Sequence, residues 1–323
     1  MGFGERSAHY DRGARVTLRV GVIGVGHLGR HHARILSSLP GARLVAVVDK
    51  IGGRAAEIAT VNRTQASTDY RDLLGEVDAV TIAVPTELHR EIALPFLEAG
   101  VPVLVEKPMT RSLGEADDLI AAAARTNVAL AVGHTERFNP AVAAARERLT
   151  DPRFIEVHRL GTFPERSLDI DVVFDLMIHD LDVVLSLVKS DVDSIEAVGV
   201  PVLTGRVDIA NARLRFANGC IANLTASRIS RDRVRKIRFF QPMAYLSIDY
   251  AAQKVELWRL VKGKGGEPSI EGGDVDVANE EPLKRELADF VDAVVSRRAP
   301  VVTGQDGRRA LALAEAIAAR MAS

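Results

Sequence analysis

Residues 20–49 read VGVIGVGHLGRHHARILSSLPGARLVAVVD. An apolar run enters a loop that contains Gly24, Gly26 and Gly29, a helical pattern follows, and a second apolar run ends at Asp49. In such a unit Gly24 permits a tight strand-to-helix turn, Gly26 lets a pyrophosphate approach the backbone, and Gly29 lets the helix pack against the strand. The free N–H groups and the positive dipole end of the helix face the phosphates. This stretch therefore predicts a dinucleotide-binding βαβ unit.

Asp49 lies twenty residues after Gly29 and predicts which dinucleotide is bound. A carboxylate here accepts hydrogen bonds from both hydroxyls of the adenosine ribose, and its charge repels the 2′-phosphate of NADP. The sequence thus favours NAD over NADP, although Lys50 would weaken that repulsion if its side chain turned toward the ribose. His27 and Leu28 lie between the glycines and are predicted to contact the cofactor as well. The alternative is an ordinary α/β turn that happens to be rich in glycine.

The composition is that of a globular protein with two domains. The chain has 323 residues, of which 47% are hydrophobic and 26% are charged, and its formal net charge is −1. The length exceeds one usual α/β core, and the balanced charge gives no general attraction to nucleic acid or to acidic membranes. Cys220 is the single cysteine, which excludes an intramolecular disulfide and a multi-cysteine metal site. No apolar run reaches the ~18 to 20 residues of a membrane span and no signal-peptide pattern is present, so we expect a cytoplasmic protein.

The order of strands and helices predicts an α/β fold. Residues 1–18 are mostly polar and are expected to form a flexible tail. Residues 19–140 alternate apolar strands with amphipathic helices, which predicts a doubly wound parallel sheet of six strands that binds NAD. Residues 141–323 carry successive strands with period-2 alternation, which predicts an α/β domain with a large, mostly antiparallel open sheet that binds the substrate. The last two helices are not placed by the sequence and could pack back on the first domain.

The same patterns predict individual elements of the second domain. The Asn218-Gly219 pair marks a hairpin between two of its strands, and the glycine-rich, acidic stretch 262–280 is predicted to be a loop. Predicted helices cover 173–187, 282–296 and 307–321. Predicted strands cover 154–162, 194–203, 208–216, 220–227, 237–241, 244–249 and 254–261.

Polar residues follow two neighbouring strands of the first domain. Pro85, Thr86 and His89 follow one strand, and Glu106 and Lys107 follow the next. Open α/β sheets bind ligands beyond the carboxyl ends of their strands, so all five are predicted to lie at the cofactor. The proline after Lys107 would hold its ammonium stiffly at the mouth of the sheet. The alternative for Lys107 is a solvated lysine in a loop.

Asp175 and His179 are the candidates for proton transfer. They are four residues apart on a predicted helix, so they share one face and could act as a unit. Histidine has an unperturbed pKa of about 6.5, which suits a general base near neutrality. Oxidation of an alcohol needs such a base, and Lys107 would stabilise the developing alkoxide. Two alternatives stay open: His179 and nearby carboxylates bind a divalent metal, or His179 is a capping or core residue. The prediction is a site without metal.

The chain resembles the Gfo/Idh/MocA family of oxidoreductases from residue 19 to its end. The resemblance rests on the GVGHLG loop and on the segments AVPTELH (83–89), VEKPMT (105–110), GHTERFNP (133–140), DLMIHDLD (175–182), PLKRELADFVDAV (282–294) and PVVTGQDGRRAL (300–311). The family implies a Rossmann domain, a second domain with a large open sheet, a nicotinamide cofactor, and a homodimer or homotetramer. It also implies that Lys107, Asp175 and His179 form the active site. Many members have glycine where this chain has Met177, a difference that concerns packing under the helix.

A basic stretch in the second domain indicates the substrate. Residues 227–239 read SRISRDRVRKIRF, and Arg228 and Arg231 are predicted to clamp a diphosphate. The alternative is a solvated edge strand on which positive charge blocks aggregation. Arg137, Asn139 and Arg166 are further predicted substrate contacts, because they lie after a strand of the first domain or just before the Asp175 helix.

Two segments together point to one branch of the family. GHTERFNPAV and DVVFDLMIHDLDVV are similar to the branch that oxidises the 3-hydroxyl of UDP-N-acetylglucosamine. That resemblance implies a partner, a PLP-dependent aminotransferase that converts the ketone to the 3-amino sugar of amide-linked lipid A. The first alternative is a dehydrogenase of a free polyol or sugar, such as inositol, or of another nucleotide sugar. The second is a non-catalytic NAD-binding regulator, which would not need the proton-transfer residues.

Overall fold

The computed structural model describes residues 17–163, 170–263 and 266–321, and within them the strands form two sheets. The strands of the first sheet are β1 (Leu18–Ile23), β2 (Ala42–Val48), β3 (Gln65–Ser67), β4 (Ala79–Ile82), β5 (Val103–Glu106) and β6 (Leu130–Gly133). They are all parallel. Their order, β3-β2-β1-β4-β5-β6, is that of a doubly wound dinucleotide-binding sheet. The predicted six-stranded parallel sheet is confirmed.

Helices cover both faces of this sheet. They are α1 (Gly29–Leu36), α2 (Gly52–Asn62), α3 (His89–Glu98) and α4 (Leu113–Thr126). Successive side chains of a strand point to opposite faces, and here both faces are apolar. Val22 packs in a core with Leu36 of α1, whereas its neighbour Ile23 packs in a core with Phe96 of α3. Strands buried on both sides explain the continuous apolar runs in the sequence.

The second sheet has eight strands. They are β7 (Phe154–Leu160), β8 (Val192–Val200), β9 (Ile209–Phe216), β10 (Ile221–Ser227), β11 (Val234–Gln241), β12 (Ala244–Asp249), β13 (Lys254–Lys262) and β14 (Pro268–Val275). Their order is β14-β13-β12-β11-β7-β10-β9-β8. The pairing of β10 with β7 is parallel, and the other pairings are antiparallel. The predicted large, mostly antiparallel sheet is confirmed.

Within the described residues, helices pack on only one face of the second sheet. They are α5 (Pro140–Arg146), α6 (Ile178–Leu187) and α8 (Gly304–Met321), and their apolar residues share a core with alternate residues of the strands. A π-helical turn, Val173–Met177, runs directly into α6. The opposite face carries exposed side chains such as Arg213 and Arg215 of β9. This sheet therefore has one helix-covered face and one open face.

The C-terminal helix α7 (Pro282–Ser296) returns to the first sheet. Leu287 and Phe290 of α7 are buried in the same core as Ile35 and Leu36 of α1. A segment that follows the second sheet thus forms part of the first domain's interior. The domain boundaries 19–140 and 141–323 themselves stay a prediction.

Two strands lie where the sequence predicts none. β3 has three residues, too few for a hydrophobic pattern. β14 lies within 262–280, where the prediction of a loop is wrong for residues 268–275. A Cβ on Gly272 would lie 2.0 Å from the carbonyl oxygen of Leu257 on β13, so the close pairing of the strands requires glycine. Glycine here marks close approach of two backbones rather than a loop.

Some predictions concern residues outside those that the structure describes. These include residues 1–16 of the predicted tail and Arg166. Leu18, the last residue of the predicted tail, begins β1 and is buried. Among the described residues, no helix combines the length and the apolar character needed to cross a membrane.

Candidate active site

The glycine loop between β1 and α1 has the geometry that a pyrophosphate needs. Gly24 has a φ of +83°, and a Cβ there would lie 2.8 Å from the backbone of Ala83. A Cβ on Gly29 would lie 1.7 Å from the carbonyl oxygen of Gly24. Around Gly26, in contrast, the nearest atom to a Cβ would be Nη1 of Arg54 at 3.9 Å. The loop is tightly packed at Gly24 and Gly29 and open at Gly26, so a phosphate group fits against Gly26.

Asp49 lies at the end of β2 with its carboxylate fixed by backbone donors. It accepts hydrogen bonds from the N–H groups of Val25, at 3.1 Å, and Ile51, at 2.9 Å. Arg54 of α2 lies against it, with Nη1 3.2 Å from Oδ2. Sequence reasoning named Lys50 as the neighbouring cation and missed Arg54. The signal was available, because Arg54 lies in the first turn of the helix after Asp49.

The other predicted cofactor residues fall into two groups. His27 and Leu28 are exposed on the glycine loop, and Pro85 and Thr86 lie at the carboxyl end of β4 with part of their surface open. His89 is different, because it is buried and its ring nitrogens lie 2.9 Å from the carbonyl oxygen of Val84 and 3.0 Å from that of Pro108. Burial lowers the pKa of His89. Its ring links the segment after β4, at Val84, to the segment after β5, at Pro108, so its nitrogens are not available to a cofactor.

Lys107 connects the two domains. Its ammonium donates a hydrogen bond of 2.7 Å to the carbonyl oxygen of Asp175, and the Asp175 carboxylate lies 3.8 Å away. The structure thus brings together two residues that are 68 positions apart in the sequence. Lys107 is mostly buried, which makes it a positioned cation and not a solvated loop lysine.

Asp175 and His179 lie on the π-helical turn and on the first turn of α6. A π-helical turn is wider than an α-helical one and often occurs at functional sites. The structure has no hydrogen bond between these two described side chains, so the residue that contacts Asp175 is Lys107. Met177 is buried in the core beneath this turn, in accord with a role in packing.

His179 is partly buried, and no described residue forms a hydrogen bond with its Nδ1. Burial lowers its pKa well below the usual value, and the positive charges of Lys107 and Arg159 lower it further. His134, at the carboxyl end of β6, is fully buried near Lys107, and burial lowers its pKa to about 3. Both imidazoles are therefore neutral at physiological pH.

A buried ion-pair network supports this region. Arg159 of β7 binds the carboxylate of Asp180 through two hydrogen bonds, of 2.7 and 3.0 Å, and binds Glu136 at 3.2 Å. Asp180 directly follows His179 on α6, so the network fixes the start of this helix against the sheet. Sequence reasoning missed Arg159, because its partners come from two distant segments.

Arg137 and Asn139, two predicted substrate residues, contact protein groups instead. Arg137 is buried, with Nε 3.1 Å from Asp182 and Nη2 3.3 Å from Asp306. Asn139 caps α5 by accepting a hydrogen bond from the Ala141 N–H, and it donates to the carbonyl oxygen of Tyr250. Both side chains tie elements together and are not presented to a substrate.

Arg228 also differs from its prediction. Its side chain is 1% exposed, it lies 3.5 Å from Asp208, and it donates hydrogen bonds to the carbonyl oxygens of Ile170 and Val207. A guanidinium enclosed in this way does not reach a diphosphate. Arg231 is exposed on the turn between β10 and β11, so its prediction as a substrate contact stands untested.

Three further basic residues of this stretch lie on β11 and divide between its two faces. Lys236 and Arg238 point to the open face, where they pair with Asp249 at 3.6 Å and Glu156 at 2.7 Å. Arg235 has the same parity as the buried Ile237, so it points to the helix-covered face. Burial is the main cause of the lowered pKa of His179, and the positive charge of Arg235 adds to it, so the two residues are close enough for the charge to act. β11 is an interior strand between β12 and β7, which removes the edge-strand interpretation.

Comparison with known protein families identifies the fold. Residues 18–134 match the Gfo/Idh/MocA oxidoreductase family with an NAD-binding Rossmann fold. Residues 143–240 match the C-terminal domain of the same family. The chain belongs to the Gfo/Idh/MocA family. It is therefore an oxidoreductase of a family whose first domain binds NAD.

Several known proteins are similar to this chain over most of their length. UDP-N-acetylglucosamine 3-dehydrogenase from Acidithiobacillus ferrooxidans is 41% identical over 303 residues, which are 93% of this chain and 96% of that protein. The solved structure of that enzyme superposes with a TM-score of 0.88 at 39% identity, over 94% of this chain and 97% of that chain. A scyllo-inositol 2-dehydrogenase (NAD+) from Bacillus subtilis is 32% identical over 232 residues, 66% of this chain and 68% of that protein.

Proposed function

We propose that this protein is an NAD-dependent dehydrogenase that oxidises the 3-hydroxyl of UDP-N-acetylglucosamine to a ketone. The observation that carries the proposal is the similarity to an enzyme of that activity, with 41% identity over 93% of this chain. The contact of Lys107 with Asp175, close to a neutral His179, supplies the proton chemistry that the oxidation needs.

The residues present fit a nicotinamide dinucleotide. The N–H groups at the start of α1 and the open side of Gly26 would hold the pyrophosphate, and Asp49 would accept the ribose hydroxyls. When bound, the nicotinamide accepts the hydride that leaves the sugar carbon. The Asp49 carboxylate disfavours a 2′-phosphate, so NAD is the preferred cofactor, although Arg54 offsets part of that charge.

The proton steps belong to Lys107 and His179. Neutral His179 accepts the proton of the sugar hydroxyl, and the ammonium of Lys107 stabilises the oxygen that becomes negative. The carbonyl oxygen and carboxylate of Asp175 hold that ammonium in position. Because burial, and after it the nearby cations, lower the pKa of His179, the proton it accepts is passed on readily to solvent or to a neighbouring acceptor.

The diphosphate of the substrate would meet arginines of the β10–β11 segment. Arg228 is enclosed, so Arg231 and Arg235 are the candidates that this stretch offers. Guanidinium groups bind diphosphates through paired hydrogen bonds. The charge of Arg235 acts on His179, which supports Arg235 as a contact of the same bound substrate.

A second candidate function is a dehydrogenase of a free polyol. The 32% identity to an inositol dehydrogenase favours it, and Lys107, Asp175 and His179 would serve it equally well. A non-catalytic NAD-binding regulator is disfavoured, because it would need no base beside a buried lysine.

Purified protein with NAD and UDP-N-acetylglucosamine tests the proposal. Glutamate and a PLP-dependent aminotransferase remove the ketone, while NADH absorbance and the mass of the sugar are followed. Inositols and free N-acetylglucosamine serve as parallel substrates. We expect NADH only with the nucleotide sugar. NADH with the inositols alone would select the polyol function, and tight NAD binding without any turnover would select the regulator.

Three further expectations belong to the same proposal. The sugar ketone would pass to an aminotransferase of this kind for synthesis of a lipid A precursor. The open face of the second sheet would form a homodimer or homotetramer. The cytoplasm, where NAD and nucleotide sugars are found, would be the location.

A further inference from the structure

A buried cluster of His32, Glu106 and Glu286 lies behind the catalytic lysine. His32 comes from α1, directly after the glycine loop, Glu106 ends β5 beside Lys107, and Glu286 comes from α7. One nitrogen and two carboxylate oxygens of these residues all lie within 4.8 Å of one another. All three side chains are almost inaccessible to water. The cluster therefore joins the cofactor loop, the catalytic lysine segment and the C-terminal helix.

Glu106 is the hydrogen-bonded carboxyl group of the cluster. Its Oε1 lies 3.1 Å from Nε2 of His32, and its Oε2 accepts the backbone N–H of Lys107 at 3.3 Å. A carboxylate only accepts hydrogen bonds, so Nε2 of His32 carries the hydrogen in this contact. The neighbouring strand leaves room for the carboxylate, because a Cβ on Gly133 would lie 2.9 Å from it. Two hydrogen-bond contacts and the space beside Gly133 thus hold the Glu106 carboxyl group in place.

Glu286 has a different environment. It is 1% exposed, and among the described residues neither of its oxygens has a hydrogen-bond partner of good geometry. The groups that face it are mostly anions: Glu106 on β5, Asp289 on its own helix and Asp182 on α6. Burial and these charges raise the pKa of Glu286 well above 4.5, and the nearby Thr135 hydroxyl only partly offsets that rise. A second buried anion here would have no partner.

We propose that Glu286 is a neutral carboxylic acid that positions Lys107 by stabilising the Glu106 carboxylate. As an acid it brings an O–H that can turn toward Glu106, and it avoids placing a second negative charge in the cluster. Glu106 in turn holds the N–H of Lys107, so the proton on Glu286 fixes the backbone from which the catalytic ammonium extends. The effect on turnover rests on the proposed function, whereas the proton on Glu286 does not.

Three variants test the proposal. Glu286→Gln keeps the shape and the donor of a neutral acid, Glu286→Ala removes both, and Glu57→Gln removes an exposed carboxylate of α2 as a control. We expect Glu286→Gln to keep kcat within about 3-fold of the wild type. Glu286→Ala should lower kcat at least 10-fold, while the Kd of NADH changes little. Glu57→Gln should change neither quantity.

The pH dependence of the Tm tests the proton itself and needs no substrate. The pKa of Glu286 is higher in the folded than in the unfolded state, so the contribution of this group to the stability of the wild type falls as pH rises above about 4.5. The Tm of Glu286→Gln should therefore match or exceed that of the wild type at pH 8, and this advantage should shrink toward pH 5. If this holds while no sugar is oxidised, the proposed function fails and the assignment of the proton stands.

Two results would overturn the proposal. Glu286→Gln could be as damaging as Glu286→Ala to both Tm and kcat, which would mean that an ionised Glu286 is required. Purified protein could instead contain one equivalent of a divalent metal that Glu286→Gln loses, since the three residues could also serve as metal ligands. Elemental analysis of both proteins measures this directly.

Discussion

The imidazole of His179 is partly buried, and the charges of Lys107 and Arg159 act on it. Burial and positive charge both favour the neutral form of a histidine. A base that is already neutral needs no deprotonation before it accepts the substrate proton. The same charges destabilise the protonated form of His179, so a proton that it accepts is released again readily.

The pH dependence of kcat/KM should reveal this lowered pKa. A base works only when unprotonated, so activity falls as pH drops through its pKa. Because the pKa of His179 lies well below 6.5, we expect kcat/KM to stay constant between pH 8 and pH 6.5 and to fall only in more acidic solution. A pH profile of initial rates checks this. An acid limb with an apparent pKa of 6.5 or above would contradict the assignment of His179 as the base.

Replacement of His179 should separate chemistry from cofactor binding. We expect His179→Asn to lower kcat by roughly 10²- to 10⁴-fold, the usual contribution of a general base, and to leave the Kd of NADH unchanged. Steady-state kinetics and fluorescence titration measure the two quantities. His158 lies on β7 of the second sheet, outside the site, so His158→Asn is the matched control and should change neither. Joint loss of binding and turnover in His179→Asn would indicate a structural role.

At the scale of elements, the basic residues of β11 lie on both faces of the second sheet. Neighbouring residues of a strand point to opposite sides of the sheet, so one run of sequence supplies two surfaces. Arg238 pairs with Glu156 on the open face, whereas Arg235 shares the face of His179. Which arginines of this stretch can contact a substrate therefore depends on whether their positions point to the helix-covered or to the open face, and not on how many arginines there are.

Substitutions on the two faces of β11 should have different effects. We expect Arg235→Gln to raise the KM for UDP-N-acetylglucosamine roughly 10-fold or more, because a charge-assisted hydrogen bond contributes about 1.5–3 kcal/mol. The KM for NAD should stay unchanged. Arg238→Gln removes the same charge from the open face and should leave both KM values within about 2-fold. Equal effects of the two substitutions would show that Arg235 acts only through general charge.

The sequence supports some of these elements better than others. The glycine loop, the end of β2 at Asp49 and the lysine after β5 are local patterns, and each was predicted. The enclosure of Arg228, which was predicted to bind a diphosphate, and the face on which Arg235 lies were not. They depend on the residue at which β10 and β11 begin and on partners such as Asp208, twenty residues away. Likewise, the glycines of β14 predict a loop from sequence alone, because the strand that requires Gly272 is β13 and the segment itself carries no sign of it.

At the scale of the whole molecule, the C-terminal helices α7 and α8 connect the two sheets by packing. α7 packs on α1 of the first domain, and α8 contributes to the core of the second sheet. Arg137, after β6, binds Asp182 of α6 and Asp306 of α8. Lys107 and His179 come from different domains, so this packing determines how closely they approach.

Removal of an apolar side chain from α7 should therefore weaken the protein. Phe290 is buried in the core that α7 shares with α1, so we expect Phe290→Ala to lower the free energy of unfolding by about 3–5 kcal/mol. Val295, on the same helix, is exposed, and Val295→Ala should change it by less than about 0.5 kcal/mol. Denaturant titration measures both. A Phe290→Ala protein of unchanged stability would mean that α7 is only loosely attached.

Transfer of deuterium from a defined carbon is the most direct test of the whole assignment. UDP-N-acetylglucosamine with deuterium at C3 is mixed with the protein and NAD, and the reduced cofactor is analysed by mass spectrometry. We predict one deuterium in the NADH, and none when the label is at C4. Unlabelled NADH from the C3-labelled sugar, or labelled NADH from the C4-labelled one, would contradict oxidation at the 3-hydroxyl.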